Sequence, residues 1–173
     1  CTTNTDRGPQ RLITPASLAE ALRRNVTIIK LQSRGLSTEQ SLQQLPFRAN
    51  CLNWVLGHLV TNRLAMIKIL SGSPAPEAEL LARYERESDP VTGPGEGVIS
   101  LEELLRILEE TQARLEKLIE KTTEAQWAEP VLFAGVEPNP RSEWLFFLYF
   151  HDCYHTGQTE LLRQAAGMND KVI

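Results

Sequence analysis

The residues of greatest chemical reach in this chain are its three histidines, His58, His151 and His155. His151 and His155 are four positions apart. On a 3.6-residue helix that spacing puts them one turn apart on the same face, where two imidazoles can grip one ion. His58 must come from a second helix. All three fall inside stretches that read as core helices, a costly place for a polar ring without a role. A chance HxxxH spacing would leave the pair as ordinary core or surface histidines. Gly57 and Gly157 tilt the balance, because one adjoins His58, the other lies two residues past His155, and a glycine in a helix interior costs about 1 kcal/mol. They mark places where a backbone, ligand or ion comes close. The expectation is one divalent metal ion held by His58, His151 and His155.

The elements that must position these rings follow from proline placement and apolar periodicity. A first helix opens with Thr14 as N-cap and Pro15 at its first position, carries Leu18, Leu22, Val26 and Ile29, and ends near Gly35. A second runs from about 49 to 71 with few charges, so it is central. The third starts at Ser100, with Glu103 reaching back to complete the cap, and continues through Leu104, Leu108, Leu115 and Leu118. Its outer face pairs Glu102 with Arg106 and Glu110 with Arg114 at i,i+4, the pattern of a solvated surface. The fourth runs from Ser142 to Gly167. Shorter pieces are predicted as a helical turn over 38–43, a short helix over 77–87 and an extended piece over 131–133.

The predicted fold is therefore all-α: a four-helix bundle, up-down-down-up, with a long crossover between helices two and three. Residues 1–173 form a single domain, with 1–11 as a flexible N-terminal tail. If helices two and four are antiparallel, His58 lies about nine residues from the start of one and His155 about a dozen from the end of the other. At about 1.5 Å per residue those depths nearly match.

Eighteen Lys and Arg against 22 Asp and Glu leave a charge of −4, which offers no footprint for a phosphate backbone and argues against nucleic acid. Arg63 and Lys68 interrupt the most apolar stretch, so no membrane span is expected. Cys1, Cys51 and Cys153 are too few and too scattered for a disulfide framework, which points to a reducing, cytoplasmic setting. The alternative is a lipid anchor through Cys1, which is followed by a polar run.

Around the histidines, Trp54, Asn62 and Cys51 share roughly the face of His58, while Leu148 and Thr159 continue the face of His151 and His155. These are the candidate pocket residues. Packing explains Trp54 better than ligand contact, and Asn62 suits a supporting hydrogen bond. Cys153 lies about 200° from His151 and points away from the ion. Asp152 is the nearest carboxylate, read either as a surface or supporting residue or as a general base on metal-activated water. Six of eleven aromatics lie on the fourth helix and cannot share one stripe, which favours a homodimer. Rival chemistries lack their parts. HDCYH carries Asp152 where a zinc protease has Glu, the Glu-x-x-His pairs of di-iron bundles are absent, and no GxSxG or P-loop appears.

Two elements resemble a known family, the DinB/YfiT-like metal-dependent four-helix bundles. One is Gly57-His58-Leu59 within NWVLGHLVTNR; the other is HDCYHTGQTELLR, with His151, His155, Gly157 and Gln158 in register. The resemblance runs from about 12 to 167 and adds Gln158 to the candidate pocket. It implies a three-histidine site with open positions, on a bundle that often dimerises. Relatives use the metal with low-molecular-weight thiols, as thiol transferases or thiol-dependent isomerases. Tyr154 and Thr156 depart from the common motif, in which a second His or an Arg is frequent near the last ligand, and this leaves the substrate open. The leading expectation is a metal-dependent enzyme, a thiol S-transferase or hydrolase, that activates a small thiol cosubstrate or water for transfer to an electrophilic small molecule. Zn and Ni rank first, with Fe and Mn behind them. The alternative is a non-catalytic metal- or ligand-binding stress-response protein.

Overall fold

A computed structural model describes residues 13–173; the tail expected over 1–11 lies outside the described residues. The chain is predominantly helical. Its described elements are α1 (Pro15–Ser33), α2 (Thr38–Ser41), α3 (Leu52–Ser71), α4 (Leu101–Lys121), α5 (Glu124–Ala128) and α6 (Arg141–Ala165), with one short hairpin, β1 (Pro130–Val131) and β2 (Asn139–Pro140).

The caps explain the boundaries. Thr14 accepts from the Ser17 amide, and Pro15 opens α1 where its missing N–H is harmless. α3 begins at Leu52 rather than near 49, because Cys51 keeps an extended backbone (φ −73°, ψ 168°) as its N-cap. It closes on Gly72 in the left-handed region (φ 76°), as many helices do. Ser100 caps α4 by accepting from the Glu103 amide. The Glu103 carboxylate is engaged elsewhere, with Arg106. That pairing also corrects the expected surface ladder: Arg106 bonds Glu103 and Glu110, and Arg114 bonds Glu77 across the crossover. The single helix expected over 77–87 is replaced by two 3-10 turns, Pro76–Ala78 and Ala82–Tyr84. Leu81 and Tyr84 are its buried anchors, three residues apart, and three is the period of a 3-10 helix. α5 escaped prediction although Thr123 and Gln126 form a reciprocal capping box that seats the buried Trp127.

The four long helices form a ring in which α3 and α1 each pack against both α4 and α6. Leu18 and Leu22 of α1, Leu56 and Leu59 of α3, Leu104 and Leu108 of α4 and Leu145 of α6 fill its centre. Cross-helix bonds fix which residues meet. Asn53 near the start of α3 donates to the Ile99 carbonyl just before α4 (2.8 Å). Arg141 at the start of α6 donates to the Ile69 carbonyl near the end of α3 (3.1 Å). Arg23 of α1 bonds Glu116 of α4 (3.0 Å), and Arg163 of α6 donates to the Gln32 carbonyl of α1 (2.9 Å).

One polar cluster sits inside this apolar ring. Arg63 of α3 and Asp152 of α6 are both fully buried and meet as a two-pronged pair, Nε to Oδ2 at 3.0 Å and Nη2 to Oδ1 at 3.1 Å. Asn25 of α1 donates to the same carboxylate (2.7 Å), and Gln112 of α4 accepts from Arg63 (2.6 Å). All four long helices thus contribute one group to a satisfied network, the condition under which buried charge is tolerated. On the outside of α6, Phe147, Phe150, Tyr154 and Leu161 remain largely exposed. No helix among the described residues is long and apolar enough to cross a membrane.

Candidate metal centre

His58 projects from α3 and meets His151 and His155 from α6. Ring centroids lie 5.1 Å apart for His58 and His151, 5.0 Å for His58 and His155, and 4.5 Å for His151 and His155. One nitrogen from each ring lies within 4.8 Å of the other two, and no carboxylate or thiol joins the cluster among the described residues. Two consecutive residues of α3 hold the convergence by bonding to α6. Asn62 donates its amide to the Leu148 carbonyl (2.9 Å), and Arg63 grips Asp152, the residue after His151.

Outer partners set the ring tautomers. His58 Nδ1 lies 2.8 Å from the Tyr84 carbonyl, which can only accept, so the proton sits on Nδ1 and the Nε2 lone pair is free. His155 Nδ1 lies 2.8 Å from Gln158 Oε1, with the same consequence at its Nε2. That nitrogen faces His151 Nε2 at 3.2 Å. His151 Nδ1 is buried without a hydrogen-bond partner. Trp54 stacks on His58 at 4.6 Å and 15°, and its indole N–H is held by Ser88 (3.1 Å).

Electrostatics favour neutral rings. Burial pushes the His151 pKa down to about 4, helped by the charges His155 and His58 would carry. Burial likewise lowers His58, against the Tyr84 carbonyl, and lowers His155, against the Gln158 carbonyl. Three neutral imidazoles whose nitrogens converge, two with fixed tautomers, are a donor set that fits a divalent transition metal.

The expected neighbours divide. Trp54, Asn62, Leu148 and Gln158 touch the cluster or line the space beside it. Asp152 does not, and this corrects the general-base reading. Its two oxygens are spent on Arg63 and Asn25 in the core. Cys51 is buried, its thiol donating to the Val91 carbonyl (3.3 Å), and Thr159 is buried with its hydroxyl on the Thr156 carbonyl (2.6 Å). Neither lines the clefts described below. Cys153 faces Asn25, away from the rings, as its helical angle predicted. The glycine argument holds for one residue of the two. A Cβ on Gly57 would stand 2.2 Å from the Tyr84 ring, so the glycine admits the residue that orients His58. A Cβ on Gly157 would meet nothing within 4 Å.

Tyr84, Ser88 and Arg86 were missed. Gly57 was the available signal for Tyr84, since it announced a close approach without naming the partner.

Two clefts reach the cluster from different directions. One, of about 700 Å³, ends on His58 and His151 and is walled by Asn62, Arg86, Phe133 and Phe147. The other, of about 640 Å³, ends on His155 and Gln158 and is walled by Leu45, Phe47, Tyr154 and Leu161. The cluster is therefore open, unlike a closed structural site.

Comparison with known proteins places the fold and the sequence. A family profile described as the DinB superfamily matches residues 31–159. A crystal structure of a conserved protein from Enterococcus faecalis matches with a TM-score of 0.67, covering 86% of this chain and 94% of that one. At 15% identity that similarity speaks for the fold alone. Comparison with curated proteins gave no match.

Proposed function

The chain belongs to the DinB superfamily, and from that premise we propose that His58, His151 and His155 hold one divalent ion in a metal-dependent enzyme. The reaction is transfer of a small thiol, or of water, to an electrophilic small molecule. Zn and Ni suit three imidazoles best, with Fe and Mn as further candidates. A bound ion supplies Lewis acidity, which lowers the pKa of a thiol or water brought to it. The chain's own residues do the rest. Tyr84 and Gln158 hold protons on the outer nitrogens of His58 and His155, and burial keeps all three rings neutral. Trp54, Leu148 and Phe147 wall the cluster with apolar surface.

The observation that carries this reading is an open cluster of neutral imidazoles with accessible space on two sides. The loss of Asp152 as a candidate base favours a second reading, a metal-binding protein without turnover. Elemental analysis of purified protein, followed by a conjugation screen with glutathione, bacillithiol, mycothiol and coenzyme A, separates them. One transition metal per chain with thiol-dependent turnover supports the enzyme. Metal without turnover across all four thiols and common electrophiles supports the binding protein. A folded protein that takes up none of the four metals overturns both.

The helix contacts support an up-down-down-up bundle within one domain. The starts of α3 and α4 meet through Asn53 and Ile99, while the start of α6 meets the end of α3 through Arg141 and Ile69. We read the exposed apolar face of α6 around Phe150, which lines neither cleft, as the face of a homodimer. The free thiols of Cys51 and Cys153 suit the cytoplasm.

A further inference from the structure

The cleft that ends on His58 and His151 is built where several separate pieces of chain converge. α3 and α6 supply its floor, with Asn62 and Leu148; the turn after Tyr84 supplies Glu85 and Arg86; the β1–β2 hairpin supplies Phe133 and Ala134. Glu85 and Arg86 are the charged residues of its lining, one acid and one base. Neither side chain has a hydrogen-bond partner among the described residues. The nearest acid to Arg86 is Glu87 at 3.9 Å, beyond hydrogen-bond reach. The backbone turns sharply there, Glu87 taking φ 69°. Arg86 shares the lining of one cleft with His58 and His151.

A rim with one anion, Glu85, and on the next residue one cation, Arg86, held only by a loose 3.9 Å ion pair with Glu87, matches a ligand carrying the opposite pair. An anionic ligand would meet Glu85 as well as Arg86, and a cationic one would meet Arg86. A zwitterion satisfies both. We propose that this rim recognises the α-amino-acid headgroup of a thiol cosubstrate that carries one, as free cysteine and the γ-glutamyl end of glutathione do and coenzyme A does not, Arg86 taking the α-carboxylate and Glu85 the α-ammonium. The thiol then points down the cleft toward His58 and His151. This rests on the thiol reading of the same site. A cysteine-sized molecule fills only a fraction of about 700 Å³, so the aromatic walls of Phe133 and Phe147 remain for an apolar electrophile or for the rest of a larger thiol.

The experiment dissects the headgroup chemically. Full-length protein, metal-loaded and metal-stripped, is titrated by NMR with L-cysteine, S-methyl-L-cysteine, 3-mercaptopropionate (no ammonium) and cysteamine (no carboxylate). S-methyl-L-cysteine is expected to bind the metal-stripped protein, because recognition resides in the rim. Arg86→Ala should weaken L-cysteine and 3-mercaptopropionate about tenfold, the scale of a charge-assisted hydrogen bond, and leave cysteamine unchanged. Glu85→Ala should weaken L-cysteine and cysteamine and leave 3-mercaptopropionate unchanged. Both residues are exposed, so the variants should fold. Equal binding of all four probes, or affinities indifferent to both variants, overturns the proposal. If S-methyl-L-cysteine binds in the Arg86- and Glu85-dependent way while no free thiol gains affinity from metal loading, the headgroup site stands and the thiol-activation reading falls.

Discussion

Asp152→Ala is the sharpest perturbation available, because its effect comes from a charge left behind. Removing the carboxylate takes two hydrogen bonds from Arg63 and one from Asn25. Arg63 keeps Gln112 (2.6 Å) and a long contact to the Leu22 carbonyl (3.3 Å), but its guanidinium stays fully buried with no counterion. Breaking one half of such a pair costs about 3–5 kcal/mol, against about 5–15 kcal/mol of total stability for a domain. For a chain of this length that is about 6–20 °C in Tm. The double replacement Arg63→Met with Asp152→Leu removes both charges and is expected to recover most of the loss, since apolar side chains of similar volume do as well as the pair. Urea unfolding of metal-stripped protein at pH 7, followed by far-UV circular dichroism, reads the difference without interference from metal binding. A loss below about 1 kcal/mol for Asp152→Ala would match an ordinary surface pair and refute the view that this carboxylate is committed to the core. A double variant no better than the single would refute the unpaired-charge mechanism.

Other consequences can be checked separately. Burial lowers the folded-state pKa of all three histidines, with His151 at about 4, below the unfolded value of about 6.5. The unfolded chain therefore binds more protons between those values, and the metal-stripped protein should lose stability as pH falls from about 6.5 to about 4. A flat urea midpoint across that window would contradict this sign. Gly57→Ala should destabilise by about 1–3 kcal/mol and weaken metal binding, because the new Cβ strikes the Tyr84 ring, whereas Gly157→Ala should stabilise by about 0.5–1 kcal/mol. Equal effects at the two glycines in a thermal melt would argue against the Tyr84 contact. His155→Ala should abolish both metal uptake and turnover, and Cys51→Ser and Cys153→Ser should leave both intact. Elemental analysis with a conjugation assay checks the set.

Periodicity made the long helices legible, because each buries a stripe at spacings of three and four that sequence alone displays. The histidine convergence followed, since only matching depths on two helices were needed. What stayed hidden depended on partners far away in the chain. Asp152 looked like the nearest base until Arg63, 89 residues earlier, claimed it. The hint was Arg63 itself, a cation in the most apolar helix, where it had been read only as an obstacle to membrane insertion. Gly157 misled for a related reason: a helical glycine shows that a side chain is missing, and only the packing shows whether anything fills the space.

The stacking of Trp54 on His58 also has an optical consequence. The chain has three tryptophans, and Trp127 and Trp144 lie elsewhere, one packed in α5 and the other against the hairpin. An indole 4.6 Å from a ligand ring is within reach of any open-shell ion at the cluster. Ni or Fe should extinguish the Trp54 share of the intrinsic emission, while closed-shell Zn should leave it bright. With an ion held as proposed, the protein would carry its own fluorescent gauge of which one is bound.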